Sequence, residues 1–515
     1  MVKDYKNLKH EEFLEQIKII FCLDTLSIDD LKNICEKLGN YIFVSDNFIK
    51  MVAILLNIEA KIPVILMGET GVGKTKLLEM LATLYGKGKP NWRKLQIHAG
   101  TTDQDIVEFI EGVEKEYQLQ ENNKEKVWIF FDEINTCNSL GLITEIMCNH
   151  TYLGKKINEN FVFLGACNPY RIITKNMKMS GLVYYNTKEK NKLNNLVYTV
   201  NPLPHSLLNF VFDFGSLKPE DEKKYITNTI IDILSRFKTK NIIEDFDKIE
   251  EKDIELIQKE IIESIVICHG FMRKKYDRSS VSLREIRRFG IFFEYFIKYF
   301  NKNNYESLKN SLNMTLYLCY YLRLNDKKCR NQLSKELENI FKDFCKIPEY
   351  EIRLITEDME RDRGIALNRA LRENLFTCFI CIDNSVPLII IGKPGTGKSL
   401  SFQILYNTLK GEYSEHDRFK EKGKLYRYYY QGSGTSTSEG IKQVFEKALR
   451  AKKNSEINKN KIITLVFFDE MGLAERSSNN PLKIIHYLLE KDTEESVPFL
   501  GISNWKLDAA KINRA

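Results

Sequence analysis

The chain has 515 residues, long enough for about three domains, each able to bury its own core. Its 77 lysines and arginines against 70 aspartates and glutamates leave +7, too thin a charge on so large a surface to leave a nucleic-acid footprint. Eleven cysteines are scattered through apolar segments with only Cys378 and Cys381 close together, a pattern that argues for core thiols against zinc or a disulfide framework.

The first residues, "MVKDYKNLKHEEFLEQ", lack an apolar leader core, and no run approaches the about 18 consecutive apolar residues that span a bilayer. A soluble, cytoplasmic protein without a transmembrane segment is expected. Helical periodicity follows in "HEEFLEQIKIIFCL" and "SDNFIKMVAILLNIEAK", where Ser45 is placed to act as an N-cap.

At Pro63 the pattern changes to "PVILMGETGVGKT", an apolar run ending in glycines. Gly68, Glu69, Thr70, Gly71, Val72, Gly73, Lys74 and Thr75 fit the phosphate-loop spacing of two glycines five apart followed by Lys and Thr. In such a loop the glycines let backbone N–H groups curl around a phosphate, and the lysine reaches the outer phosphates. The hydroxyl ligates Mg2+ at a helix N-terminus. A helix-period segment, "KLLEMLATLYG", comes next, then a strand-like run in "LQIHAGTTDQDI" near Gln96. "VWIFFDE" ends in Asp132 and Glu133, and "FVFLGACNPYR" carries Asn168 past another apolar run. An aspartate at the end of a buried strand is suited to the metal, and the glutamate beside it to orienting and polarising the attacking water. Asn168 falls where a strand-end amide reaches both water and the terminal phosphate.

From about Pro219 to Pro348 the periodicity is helical, as in "IRRFGIFFEYFIKYF". Arg284, in "SSVSLREIRRF", sits at a helix start and is a candidate to reach back over the first site and sense the terminal phosphate. The competing account is a solvated helix face.

The landmarks then recur in the same order. "PLIIIGKPGTGKS" supplies Gly392, Lys393, Pro394, Gly395, Thr396, Gly397, Lys398 and Ser399 as a second phosphate loop, with Ser399 as the metal hydroxyl. "YYYQGSGTSTSEGI" parallels the run near Gln96, "ITLVFFDE" ends in Asp469 and Glu470, and "VPFLGISNW" brings Asn504. From first acid to asparagine the spacing is 36 residues (132 to 168) in one copy and 35 (469 to 504) in the other. Arg514, near the end, is a candidate finger donated by the second copy to the first site, or an ordinary surface arginine. The fold expected is α/β: two tandem phosphate-loop modules, each a parallel sheet flanked by helices, with the ligand crevice at the carboxyl ends of the strands. The parts are a helical N-terminal segment (1–40), a first α/β part (41–215), a helical lid or linker (216–348) and a second, truncated α/β part (349–515).

Phosphate loop, Asp-Glu strand, asparagine strand and trailing helices in this order resemble the AAA+ ATPase superfamily. Longer phrases narrow it: "IPVILMGETGVGKTKLLEML", "FFDEINTCNSLGLITEIMCNHTYLG", "LVYTVNPLPHSLLNFVFDFG", "DEMGLAERSSNNPLKIIHYLLE" and "VPFLGISNWKLDAAKINRA". Over roughly residues 40–215 and 350–515 the chain is similar to the consecutive third and fourth AAA+ modules of the mysterin family, ring-finger ubiquitin ligases with a dynein-like ring of modules. The resemblance implies ATP with Mg2+ as the ligand, hydrolysis at this pair of modules, and other AAA+ modules of the same or a longer chain and the ubiquitination machinery as partners. That family's ligase chemistry resides in a Cys/His-rich region with no match here, so the chain reads as a piece lacking it. ATP is preferred over GTP on the resemblance alone.

Two other readings of the residues remain open. One is a nucleotide-gated scaffold within a larger ligase, with little turnover. The other is a nucleic-acid-stimulated NTPase using "EKGKLYRYYYQ", a stretch that otherwise reads as a loop feeding a strand.

Overall fold

The structure is a computed structural model that describes residues 10–20, 27–37, 44–119, 126–171, 196–198, 200–215, 218–239, 249–276, 278–300, 304–457, 461–475, 477, 481–489, 496–505 and 507–508. The chain divides into two compact units, one of residues up to 172 with 192–222, the other essentially residues 223–515.

The first unit is built on a parallel sheet. Its strands are β1 (Val64–Gly68), β2 (Trp92–Gln96), β3 (Val127–Asp132), β6 (Phe161–Cys167) and β7 (Val211–Gly215), in the order β2-β3-β6-β1-β7. A two-stranded antiparallel hairpin, β4 (Thr151–Tyr152) and β5 (Lys155–Lys156), precedes β6. The apolar runs are unbroken because both faces are covered. Val64, Leu66, Trp128 and Phe130 enter one core with the helices His10–Ile20, Ile28–Lys37, Ser45–Glu59 and Lys74–Tyr85. Ile65, Ile129, Phe131 and Phe163 enter another, against Asp103–Gln118 and the segment 140–149. Ser45 is not the N-cap: the helix starts on it, Val44 holds the cap position, and no side chain caps it.

The helix Asp103–Gln118 shows the stronger start signal. Thr102 Oγ1 accepts from Asp105 N at 3.2 Å, and Asp105 Oδ2 accepts from Thr102 N at 2.8 Å, a reciprocal capping box. Thr102→Ala is expected to destabilise the first unit by about 1 kcal/mol, read as a shifted denaturant midpoint.

The second unit repeats the plan with β8 (Leu388–Ile391), β9 (Lys424–Gln431), β10 (Ile462–Asp469) and β11 (Phe499–Ser503) in the parallel order β8-β11-β10-β9. That order superposes on β1-β6-β3-β2 of the first sheet. Register matches too: Gln96 pairs with Asp132 and Gln431 with Asp469. The residue after each glutamine, Ile97 or Gly432, donates its N–H to the aspartate carbonyl, at 3.0 and 2.9 Å.

The helical segment does not stand apart from this sheet. Its core runs from Ile226 on Pro219–Thr239 through Glu251–Lys275 and Arg284–Phe300 to Leu465, Phe467, Leu500 and Ile502 on the strands. Phe289, Phe293 and Phe296 are fully buried, and Phe296 stacks on Phe376 of the helix Arg369–Asp383, ring centroids 6.3 Å apart. The aromatic face of Arg284–Phe300 is buried by the helix that leads into β8. The opposite face of the sheet, with Val466, Phe468 and Phe499, is covered by Ser438–Ile457.

Candidate functional site

In the first unit β1 ends at Gly68 and the helix Lys74–Tyr85 opens six residues later. Gly71 and Gly73 lie at φ of 77° and 93°, left-handed positions that glycine adopts without a Cβ penalty. The turn they make sets the helix N-terminus against the strand end, an anion-binding arrangement. Lys74 is buried, its Nζ donating to the carbonyls of Gly68 at 2.5 Å and Glu69 at 3.0 Å.

Thr75 Oγ1 lies 3.5 Å from Asp132 Oδ2, so hydroxyl and carboxylate converge on one point beside that N-terminus. Two hard oxygen donors of this kind fit Mg2+, which keeps waters and substrate phosphates as its other ligands. Among the described residues no group of three or more His, Cys, Asp or Glu side chains offers a protein-only metal cage.

Glu133 follows β3 with φ 57° and ψ 41°, a left-handed conformation costing about 1–3 kcal/mol in a residue with a side chain. The Glu133 carbonyl accepts from the N–H and hydroxyl of Thr136 at 3.0 and 2.9 Å, which fixes the turn. Asn168, at the end of β6, donates its N–H to Asn135 Oδ1 at 3.4 Å, and its carbonyl accepts from Asn135 Nδ2 at 2.8 Å. The Asn168 side-chain Nδ2 is different. The residue is 3% exposed, and this amide has no hydrogen-bond partner among the described residues. A buried donor left this way costs about 1–3 kcal/mol, which a ligand oxygen would recover.

Three residues at this site were not expected from the sequence. Lys94 Nζ on β2 sits 2.9 Å from Asp132 Oδ2. Arg171 Nη2 lies 3.3 Å from Glu69 Oε1, and the Tyr198 hydroxyl donates to Glu69 Oε2. Burial, then the Glu69 charge, pushes the Tyr198 phenol well above its ordinary value, so it remains a donor. Glu69 thereby ties the loop to chain three residues past Asn168 and to residue 198. Such long-range partners carry no spacing signal.

In the second unit Gly395 and Gly397 take φ of 79° and 77°, and Lys398–Thr408 opens as Lys74–Tyr85 does. Lys398 Nζ donates to the carbonyls of Gly392 at 2.9 Å and Lys393 at 2.7 Å. Burial pulls its ammonium below the ordinary lysine value, against the pull of the Glu470 and Asp469 carboxylates. Lys393, Pro394, Gly395, Thr396 and Ser399 are exposed, whereas Thr70 of the first loop is buried. Glu470 repeats the left-handed turn, φ 51° and ψ 41°. Here the amide finds a partner: Asn504 Nδ2 donates to Glu470 Oε1 at 2.7 Å.

Of the two arginines, Arg284 opens the helix Arg284–Phe300 in the second unit. Its N–H donates to Ser282 Oγ at 3.3 Å, and Glu285 Oε2 accepts from Ser282 N at 2.7 Å. Arg514 lies outside the described residues.

Residues 41–171 and residues 364–515 each match a family model described as RNF213 AAA domain. The chain is 30% identical, over an alignment of 565 positions that covers 99% of it, to E3 ubiquitin-protein ligase rnf213-beta of Danio rerio. It is 30% identical over 548 residues to E3 ubiquitin-protein ligase RNF213 of Homo sapiens and 31% over 545 to that of Mus musculus, in each case 94% of the chain. It spans about a tenth of the length of these curated relatives, 10% of each. No helix among the described residues is long and apolar enough to cross a membrane.

Proposed function

Since the chain belongs to the RNF213 family and carries two of its AAA domains, we propose that it binds and hydrolyses ATP with Mg2+ at the first loop. The observation that carries this is Thr75 Oγ1 3.5 Å from Asp132 Oδ2 at the helix start after Gly73, with the buried Asn168 amide, which has no partner among the described residues, at the end of β6, the strand between β1 and β3. Lys74 exchanges the carbonyls of Gly68 and Glu69 for phosphate oxygens of ATP. Thr75 and Asp132 hold the Mg2+, which neutralises charge on the phosphates. Glu133 orients and polarises the attacking water, and Asn168 donates its amide to the water or the terminal phosphate. Nucleotide state then moves these modules relative to neighbouring AAA domains of the same or a longer chain, as the cytoplasmic, nucleotide-driven part of a ubiquitin ligase.

The second loop supports a more restrained role. Gly392–Ser399 with Asp469 binds nucleotide, but the Asn504 amide holds the Glu470 carboxylate, the group assigned to the water. This favours a site that gates shape over one that turns over rapidly.

Steady-state hydrolysis by the purified chain tests the reading. ATP turnover is expected to exceed GTP turnover and to be abolished by EDTA. Lys74→Ala is expected to weaken ATP binding at the first site by about tenfold or more, because charge-assisted bonds to phosphate are lost. Binding and turnover unchanged in that variant would remove the first loop from the chemistry.

A further inference from the structure

Asp132, to which the proposed function gives the magnesium ion, already faces a cation. Lys94 Nζ lies 2.9 Å from Asp132 Oδ2, the oxygen that approaches the Thr75 hydroxyl at 3.5 Å. Its place follows from register. Gln96 pairs with Asp132, so Lys94, two residues earlier, shares its face of the outermost strand β2. The ammonium passes 5.9 Å from the Phe130 ring centroid, and the side chains of Lys94 and Asp132 are 30% and 10% exposed. The carboxylate is thus shielded while Lys94 stands on the exposed side of the strand, so the ion pair is partly screened by solvent.

The second module lacks this arrangement. Gln431 pairs with Asp469, so the position equivalent to Lys94 is Tyr429, a neutral phenol. Asp469 Oδ1 instead accepts from the N–H of Glu470 at 2.9 Å, and no cation pairs with Asp469 among the described residues. The cation on the first aspartate belongs to one side chain and not to the shared fold.

We propose that Lys94 is a resident stand-in for the divalent ion at the first site, so that nucleotide binds there with little dependence on metal, while the second site requires it. The inference rests on the nucleotide reading of the loops. A polyphosphate entering beside a bare Asp132 meets a like charge. With Lys94 in place that charge is already cancelled, and a lysine is a compact charge on a flexible stem with three donors, free to share itself between carboxylate and phosphate. A divalent ion has to displace the ammonium from Oδ2. Lys94 thus narrows the difference between metal-bound and metal-free binding from both sides.

The test is the ratio of Kd in EDTA to Kd in Mg2+ for an ATP analogue with an N-methylanthraniloyl label on its ribose. The Lys398→Ala chain isolates the first site. Its ratio is expected to be small, to rise about tenfold or more when Lys94→Met is added, and to stay small with Lys94→Arg. In the Lys74→Ala chain, which isolates the second site, Tyr429→Lys is expected to lower a large ratio, a gain that does not depend on how β2 tolerates substitution. Binding with a ratio that neither Lys94→Met nor Tyr429→Lys changes would overturn the inference and leave the nucleotide reading standing. No binding by the Lys398→Ala chain in either medium would overturn both.

Discussion

Glu133→Gln is expected to leave ATP bound at the first site and to slow its hydrolysis by about 10²- to 10⁴-fold. The backbone at Glu133 is held left-handed by the Thr136 bonds to its carbonyl, which glutamine does not disturb. Shape and volume are conserved, so the loop, Lys74 and the Thr75–Asp132 pair stay in place. What is lost is the carboxylate charge that polarises water, an interaction made in the transition state and not in the bound ground state. Such a loss lowers turnover with binding intact. Single-turnover hydrolysis alongside labelled-nucleotide binding, both in the Lys398→Ala chain, separates the two quantities. An unchanged rate would take the water away from Glu133. A rate lowered only in step with binding would mean that the residue holds the loop and does no chemistry.

Phe296→Ala is expected to destabilise the second unit by about 3–5 kcal/mol, a large share of a domain's stability. Phe296 lies in the helical segment, yet it is fully buried against Phe376 in the core that reaches β10 and β11. The cavity left by its ring opens in a close-packed interior shared by helices and sheet. Amide hydrogen exchange should therefore show protection lost together in Glu251–Lys275 and in β10, as one cooperative unit. Protection lost in the helices alone would mean that they open independently of the sheet, with a domain boundary near 348.

These two residues illustrate different degrees of legibility. The position of Glu133 was readable because its signal is local: a glycine loop, a buried strand and an acid pair repeat in one order, and the acids fall at the end of the strand. The role of Phe296 was not, since an aromatic stripe at helical spacing says that a face is buried without saying by what. The Ser45 cap failed for a similar reason. A serine before an apolar helix is a permissive signal, and here it became the first helical residue.

By itself the sequence determined the two glycine-rich strand-to-helix loops, the parallel strands that end in Asp132 and Asp469, and the common plan of the two modules, because glycine spacing, strand-length apolar runs and their order are properties of neighbouring residues. Only the tertiary structure decided how the two sites differ. It set Lys94 on Asp132 with Tyr429 in the matching place, joined Glu69 to Arg171 and Tyr198, and gave the Asn504 amide to Glu470 while leaving that of Asn168 unpaired among the described residues. Each of these depends on register between strands or on side chains brought together from distant positions. Charge and hydrogen-bond balance at a site are sums over such neighbours, and a linear pattern does not contain them.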